Sequence, residues 1–264
     1  MLKVTHNAGF FSCCNIRLHE IINYFNKNKK LPEIVDSSSQ FVLYKPRHMI
    51  MNDITYHFFT NNNTMNIEFE NSVSITNEKI EDQFSNYKKL NIEDTKPFIQ
   101  KYFTPCEEII DIQNKLLVKY NIDPNKCISI YYRGTDKYLE TVLGDFSKYD
   151  EMIYKIKYNN NAANNYTLLI QSDSSQFLNY MKEKHDNVII IEENKSSNSN
   201  RGIHLHNTNI GNENYNDIKK LFASFLIISS CKHFICCSSN CSLWMVYYRG
   251  NIDNIHQYLI NDFL

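Results

Sequence analysis

Arg133, Gly134, Thr135, Asp136 and Lys137 follow one another without a break, and Glu140 stands three positions further on. A guanidinium is a permanently charged fork of donors that suits a phosphate, and the nearby lysine adds a second cation as a point charge. Gly134 frees the backbone to bend. Thr135 contributes a hydroxyl and Asp136 an acceptor, and Glu140, with Asp145 as its rival, offers a carboxylate able to take a proton from a hydroxyl. The stretch reads as an anion-binding loop, with Glu140 either a candidate base or an ordinary solvated loop acid. Immediately before it, Cys127 to Tyr132 is an apolar, β-branched and aromatic run of strand length, so a buried strand delivers charge to a loop.

Two further clusters repeat that layout. Leu169-Ile170-Gln171 passes into Ser172-Asp173-Ser174-Ser175, where Asp173 either recognises part of a ligand or caps the following helix together with Ser174 or Ser175. Phe234-Ile235-Cys236-Cys237 passes into Ser238-Ser239-Asn240-Cys241, where two small hydroxyl residues at a helix start offer backbone N–H groups to an anion or simply cap the helix. No G-x-S-x-G surrounds Ser239, which argues against a hydrolase nucleophile. Between these clusters, the polar segment 192–214 carries Arg201, Gly202, His204 and His206. Arg201 has the reach for a phosphate and His204 for a base, whereas zinc would need more ligands than the local sequence supplies.

Tyr-Tyr-Arg-Gly-Thr-Asp-Lys at 131–137 resembles the His-x-Arg-Arg-Thr-Asp-Lys signature of the α-1,6-fucosyltransferases and nodulation fucosyltransferases, relatives of the protein O-fucosyltransferases with the GT-B fold. The resemblance implies that Arg133 contacts the donor's diphosphate and that Thr135, Asp136 and Lys137 take the motif's last three positions. It further implies that Asp173 helps recognise the base and that Ser238 and Ser239 hold the phosphates. Tyr131 stands where the family has a histidine that holds guanine, and Gly134 stands where it has a second arginine. Glu140 falls one position earlier than the family's glutamate. The resemblance covers about residues 126–248, and the first 120 residues share only the general layout, including a glycine-bearing loop at Gly9 before a helix.

The elements that position these clusters are regular after residue 126. Strands are expected at 128–132, 166–171, 188–191 and 233–236, and helices at 146–157, 175–184, 215–229 and 240–247. Such alternation predicts a parallel sheet covered on both faces, with ligands bound outside the carboxyl ends of the strands. Earlier in the chain the pattern predicts strands at 3–6 and 34–36, an edge strand at 65–69, and helices at 16–25, 81–90 and 104–120. Gly9 in the first strand-to-helix loop is either a ligand-facing corner or a turn, and residues 41–60 could line an acceptor cleft or form ordinary half-buried surface. The expected fold is therefore α/β and GT-B-like: two Rossmann-like lobes with parallel sheets, residues 1–120 on the acceptor side and 126–264 holding the nucleotide sugar, the C-terminal lobe being the better supported.

Twenty-eight basic against 29 acidic residues, for a net charge of -1, give no electrostatic case for nucleic acid as a partner. No apolar run approaches the roughly 18 residues of a membrane span, and residues 1–9 lack a secretory signal, so the expected location is cytoplasmic. The eight cysteines contain no Cys-x-x-Cys pair and several fall in core strands, which predicts reduced, mostly buried thiols. Abundant asparagine, lysine, isoleucine and tyrosine fit an A+T-rich genome, such as that of a parasite or a large DNA virus.

No two aspartates lie two positions apart, so the Asp-x-Asp metal motif of GT-A enzymes is absent, as are the glycine patterns of P-loops and dinucleotide folds. The resulting expectation is an inverting glycosyltransferase without metal or cofactor. It would move a sugar, fucose by resemblance, from a nucleotide diphosphate sugar to a hydroxyl of a glycan or glycoprotein. A donor such as UDP-xylose, a GT-B sugar-nucleotide epimerase and a non-catalytic nucleotide-binding protein are the alternatives.

Overall fold

The computed structural model describes residues 1–62, 67, 73, 81–159, 166–206, 210–259 and 262–264. At its centre is a six-stranded sheet built from β3 (Cys127–Tyr132), β4 (Thr167–Ser172), β5 (Val188–Ile190), β6 (His233–Cys237), β7 (Ile255–Leu259) and β8 (Asp262–Phe263). The order is β5-β4-β3-β6-β7-β8, with parallel pairing throughout except for the antiparallel edge strand β8. The order reverses direction between β3 and β6, which makes their carboxyl ends the place where such a sheet opens a crevice.

Both faces of this sheet are covered, and the sequence shows why. All six residues of β3 and all five of β6 are buried, as expected of central parallel strands that read as continuous apolar runs. Ile128, Ile130 and Tyr132 join one core with α4 (Phe146–Asn159) and α5 (Ser175–Lys184), where Tyr132 stacks on Phe177 at 4.4 Å between ring centroids. Tyr131 points the other way, edge-on to Phe225 of α6 (Ile210–Ser230) at 5.2 Å. That second core continues through α7 (Asn240–Arg249), which ends at Gly250 in the left-handed region that a helix C-terminus favours.

The first part of the chain carries a two-stranded parallel sheet of β1 (Leu2–Lys3) and β2 (Val35–Asp36), with α1 (Phe10–Asn28), α2 (Ile92–Tyr102) and α3 (Glu107–Lys119). Helix α1 begins six residues before the expected start because Phe10 and Phe11 are core residues. Phe10 meets Phe41, Tyr44, Phe58 and Phe222, and Phe11 stacks on Phe225. Those contacts fix the amino end of α1 against α6 and set Gly9 at the rim of the central crevice.

Several expectations need correcting. The helix expected over 81–90 is instead two short 3₁₀ turns, Glu81–Phe84 and Tyr87–Lys89, because Tyr87 is wholly buried and holds the backbone down rather than following a helical stripe. Helix α2 and strands β7 and β8 lie outside the expected elements, the first strand is shorter, and the strand expected over 65–69 lies outside the described residues, of which residue 67 alone is placed. All eight cysteines are free thiols, and six are buried.

Candidate functional site

A cleft of about 440 Å³ opens at the carboxyl ends of β3, β4 and β6. Its walls include Gly9, Tyr131, Arg133, Asp136, Lys137, Glu140, Asp173, Ser239 and His204. Three separate strand ends thus bring the motifs at 133–140, 173 and 239 together, with the α1 entry loop facing them. Among the described residues no three His, Cys, Asp or Glu side chains are grouped to hold a metal ion.

Arg133 follows the last residue of β3, and register places that end beside the end of β4, Tyr132 opposite Ser172. The two loops are consequently tied together. Arg133 Nη1 donates to Asp173 Oδ2, and Nη2 donates to Asp136 Oδ1 at 2.6 Å. Asp173 also accepts from the Gly134 amide at 2.7 Å and from the buried Thr135 hydroxyl at 2.6 Å. Burial disfavours the charge on Arg133, but Asp173, with Tyr131, Cys241 and Asp136 behind it, more than offsets this and moves its pKa upward. The cap of α5 is Ser174, whose hydroxyl accepts from the Phe177 amide. Asp173 is therefore not the capping side chain, and its carboxylate serves the cleft wall.

Gly134 is required where it stands. A Cβ there would lie 2.5 Å from Tyr132 Cε1 and 3.0 Å from the Ser174 Cβ, and the Tyr132 ring is held by its stack on Phe177. The second arginine of the resembled signature has no room in this loop. Gly202 faces a similar limit on the opposite wall, since a Cβ would come within 2.7 Å of Asp136 Oδ2. The 3₁₀ turn Ile203–Leu205 can then bring His204 toward the Arg133–Asp136 pair, and burial followed by the positive charge of Arg133 lowers the His204 pKa, leaving the ring neutral near pH 7.

Lys137 forms a second centre. Only 3% exposed, it donates to Glu140 Oε2 at 2.6 Å and to Gln83 Oε1 at 2.8 Å, and its ammonium lies 4.7 Å from the centroid of the Phe84 ring. Gln83 also reaches the amino end of α7, accepting from Asn240 N at 3.1 Å and Asn240 Nδ2 at 3.2 Å. Ser239 caps α7 by accepting from the Ser242 amide, and its own amide donates to the buried Tyr87 hydroxyl at 3.1 Å. Burial raises the pKa of the Cys241 thiol, so the thiol is protonated near neutral pH and is no thiolate nucleophile.

Two expected residues stand elsewhere. Ser238 turns under β7, donating to the Tyr258 carbonyl at 3.3 Å and accepting from Gln257 Nε2 at 2.9 Å. Arg201 is exposed and not part of the cleft wall. Gly9 is at the wall with φ -56°, and a Cβ there would meet nothing within 4 Å. Its backbone has no need of glycine, and its bare α-carbon leaves open space at the mouth. Gln83, Tyr87 and Asn240 were not expected. Asn240 was detectable as the residue after the Ser238-Ser239 pair, whereas Gln83 and Tyr87 carry no local signal, because the partners that tie them to the cleft and the sheet lie 54 to 170 positions away.

No protein-family model matches the chain, and no curated protein matches it significantly. Solved structures do. The NodZ α-1,6-fucosyltransferase co-crystallized with GDP superposes with a TM-score of 0.60 at 12% identity, over 98% of this chain and 95% of that one. The chain has the fold of these GT-B fucosyltransferases. A structure of fucosyltransferase NodZ from Bradyrhizobium gives a TM-score of 0.56 at 10% identity, over 97% and 95% of the two chains. At such identities the likeness establishes architecture, and the mixed α/β arrangement with parallel sheets expected from the sequence is present. Among the described residues no helix is long and apolar enough to cross a membrane.

Proposed function

We propose that the chain is a metal-independent, inverting glycosyltransferase that takes a sugar from a nucleotide diphosphate sugar and places it on a hydroxyl of a glycan or glycoprotein. Fucose from GDP-fucose is the first candidate, and the division into an acceptor side at 1–120 and a donor side at 126–264 belongs to the same proposal. The observation that carries it is the convergence of Arg133, Lys137, Asp173 and Ser239 on one cleft at the β3–β6 crevice, in a chain with the NodZ fold.

In this reading the acceptor oxygen attacks the anomeric carbon as the bond to the diphosphate breaks, and the nucleoside diphosphate departs with the bonding electrons. Cations must neutralise the departing charge, and Lys137 with the amino end of α7 faces the cleft for that purpose. Glu140 lines the same wall and accepts the proton from the acceptor hydroxyl. The Lys137–Glu140 pair links the two tasks: as Lys137 turns to the diphosphate, the Glu140 carboxylate is freed to act as base.

A second reading, a nucleotide-binding protein without transferase activity, is favoured by one observation. Arg133 is held by two carboxylates, Asp136 and Asp173, so its charge is already committed and does not go to a leaving diphosphate. Thermal unfolding with GDP, UDP, ADP and their sugars, with and without EDTA, tests nucleotide binding. A dose-dependent rise in midpoint that survives EDTA is expected. Absence of any rise removes the donor-site reading, and donor hydrolysis or transfer separates an enzyme from a binding protein.

A further inference from the structure

Gln83 Oε1 accepts three hydrogen bonds at once, from Lys137 Nζ at 2.8 Å, Asn240 N at 3.1 Å and Asn240 Nδ2 at 3.2 Å. An amide oxygen has two lone pairs, so three donors on one such atom, one of them an ammonium, is a surrounding better matched to an oxygen bearing full negative charge. Gln83 and Lys137 are 5% and 3% exposed, so little solvent competes for these groups. We propose that Gln83 occupies, with its side-chain carbonyl, the position of a phosphoryl oxygen, so that a diphosphate enters the cleft by displacing it and Gln83 sets the affinity for the donor. This rests on the donor-site reading above and names the residue that regulates entry to that site.

Charge decides between the two cationic centres of the cleft. Arg133 faces Asp173 and Asp136, both close enough for ion pairs, and its positive charge is more than cancelled locally. Among the described residues Lys137 faces one carboxylate, Glu140, whose side chain is 48% exposed and can turn to water. Its other oxygen partner is the neutral Gln83 amide. A diphosphate gains more by replacing a neutral oxygen next to Lys137 than by prising two carboxylates from Arg133. Asn240 adds the first amide of α7, one of the donors that a helix start leaves without an intrahelical partner.

The same geometry explains why residues 81–89 lie where they do. The Tyr87 hydroxyl bridges the Gln83 and Ser239 carbonyls, and Gln257 accepts from the Tyr87 amide at 2.8 Å while donating to the Ser85 carbonyl at 2.9 Å. These bonds anchor the turn by Tyr87 and its backbone, independently of the Gln83 side chain. These bonds persist when the Gln83 side chain changes rotamer.

Calorimetric titration of the full chain with inorganic pyrophosphate and with GDP tests the proposal, using wild type, Gln83→Met and Gln83→Glu, each checked by circular dichroism. Gln83→Met keeps the side-chain length without a carbonyl and should bind pyrophosphate about 3- to 10-fold more tightly, the equivalent of one net hydrogen bond no longer contested. Gln83→Glu places a carboxylate on Lys137 and should weaken binding by about 10-fold or more. Should Gln83→Met fail to fold, Gln83→Asn, whose shorter side chain falls short of Lys137 Nζ, takes its place with the same expected gain. Equal or weaker pyrophosphate binding by a folded Gln83→Met or Gln83→Asn protein, including silence of every variant, overturns the role of Gln83. GDP binding that is equal in wild type and variant leaves the donor-site reading intact while removing Gln83 from it. Pyrophosphate binding gained by the variant without any GDP binding upholds Gln83 and counts against the nucleotide reading.

Discussion

Asp173 joins the end of β4 to the loop after β3 by accepting from Arg133, from the Gly134 amide at 2.7 Å and from the Thr135 hydroxyl at 2.6 Å. One carboxylate, 7% exposed, thereby fixes three consecutive residues of the motif. Its contribution to folding and its place in the cleft wall are physically inseparable.

Asp173→Asn should therefore destabilise the chain rather than act on ligand recognition alone. An amide replaces one acceptor oxygen by a donor, which must face either the guanidinium or the Gly134 N–H. Removing one partner of a buried ion pair costs about 3 to 5 kcal/mol, and because Arg133 keeps Asp136, about 2 to 3 kcal/mol is expected here. Urea unfolding followed by circular dichroism measures it. A loss below about 0.5 kcal/mol would show that the loop holds its shape without the carboxylate.

Gly134→Ala should lower stability by about 1 to 3 kcal/mol, the usual cost of overpacking. The added methyl group falls 2.5 Å from Tyr132 Cε1, and that ring cannot retreat without disturbing its 4.4 Å stack on Phe177. Thermal unfolding checks this, and a paired variant Gly134→Ala/Tyr132→Leu should recover part of the loss. A neutral single variant would mean that the ring moves freely.

Much of this site was legible in the sequence because β3, β4 and β6 are buried on both faces and announce themselves as apolar runs that stop abruptly at charge. What ends each run was therefore easy to name. Which ends meet was not, since strand order is set by packing between distant elements and leaves no period in the chain. Arg133 and Asp173 are neighbours because Tyr132 pairs with Ser172, a register that neither segment encodes alone. Ser238 and Ser239 show the complementary limit. The pair was identifiable as a helix start, but at the end of a strand successive side chains point apart, and only Ser239 faces the cleft while Ser238 turns beneath β7. Gln83 lies in a segment whose acidic and aromatic residues read as helix, and the competing cause is the burial of Tyr87 against α7.

Acid should weaken the fold from the end of the sheet opposite the cleft. His233 begins β6 and His256 lies near the start of β7, their rings stacked at 5.8 Å, and among the described residues neither His233 ring nitrogen has a hydrogen-bond partner. Burial first, then the charges of Lys232 and Arg249, lower the His233 pKa to about 4, and burial with His233, Lys88 and Arg249 does the same for His256. Both folded values lie below the ordinary 6.5, so the unfolded chain binds more protons between the two. The stabilisation is complete above pH 6.5 and is lost as pH falls toward 4. After solvent screening, the loss is on the order of 2 kcal/mol. Urea midpoints at pH 7, 5.5 and 4.5 should fall steadily in wild type and less in His256→Phe. A parallel decline in both proteins would place the acid sensitivity elsewhere.

The two cations of the cleft should respond differently to removal. Lys137→Met deletes a charge-assisted hydrogen bond to an incoming phosphoryl oxygen, worth about 1.5 to 3 kcal/mol, and should weaken nucleoside diphosphate binding by about 10- to 100-fold. Arg133→Ala deletes a guanidinium already balanced by Asp136 and Asp173 and leaves both carboxylates facing the cleft without a counter-ion. Its main effect should be a lower unfolding midpoint, and Arg133→Lys should restore only part of it, because an ammonium cannot form both forked bonds at once. Binding is read by calorimetry at fixed ionic strength, and stability by urea unfolding of the same preparations. If folded Arg133→Ala loses as much affinity as Lys137→Met, the diphosphate contacts Arg133 directly and must displace Asp173 or Asp136 to do so. Intact binding in Lys137→Met would remove Lys137 from the donor site, and Gln83 with it.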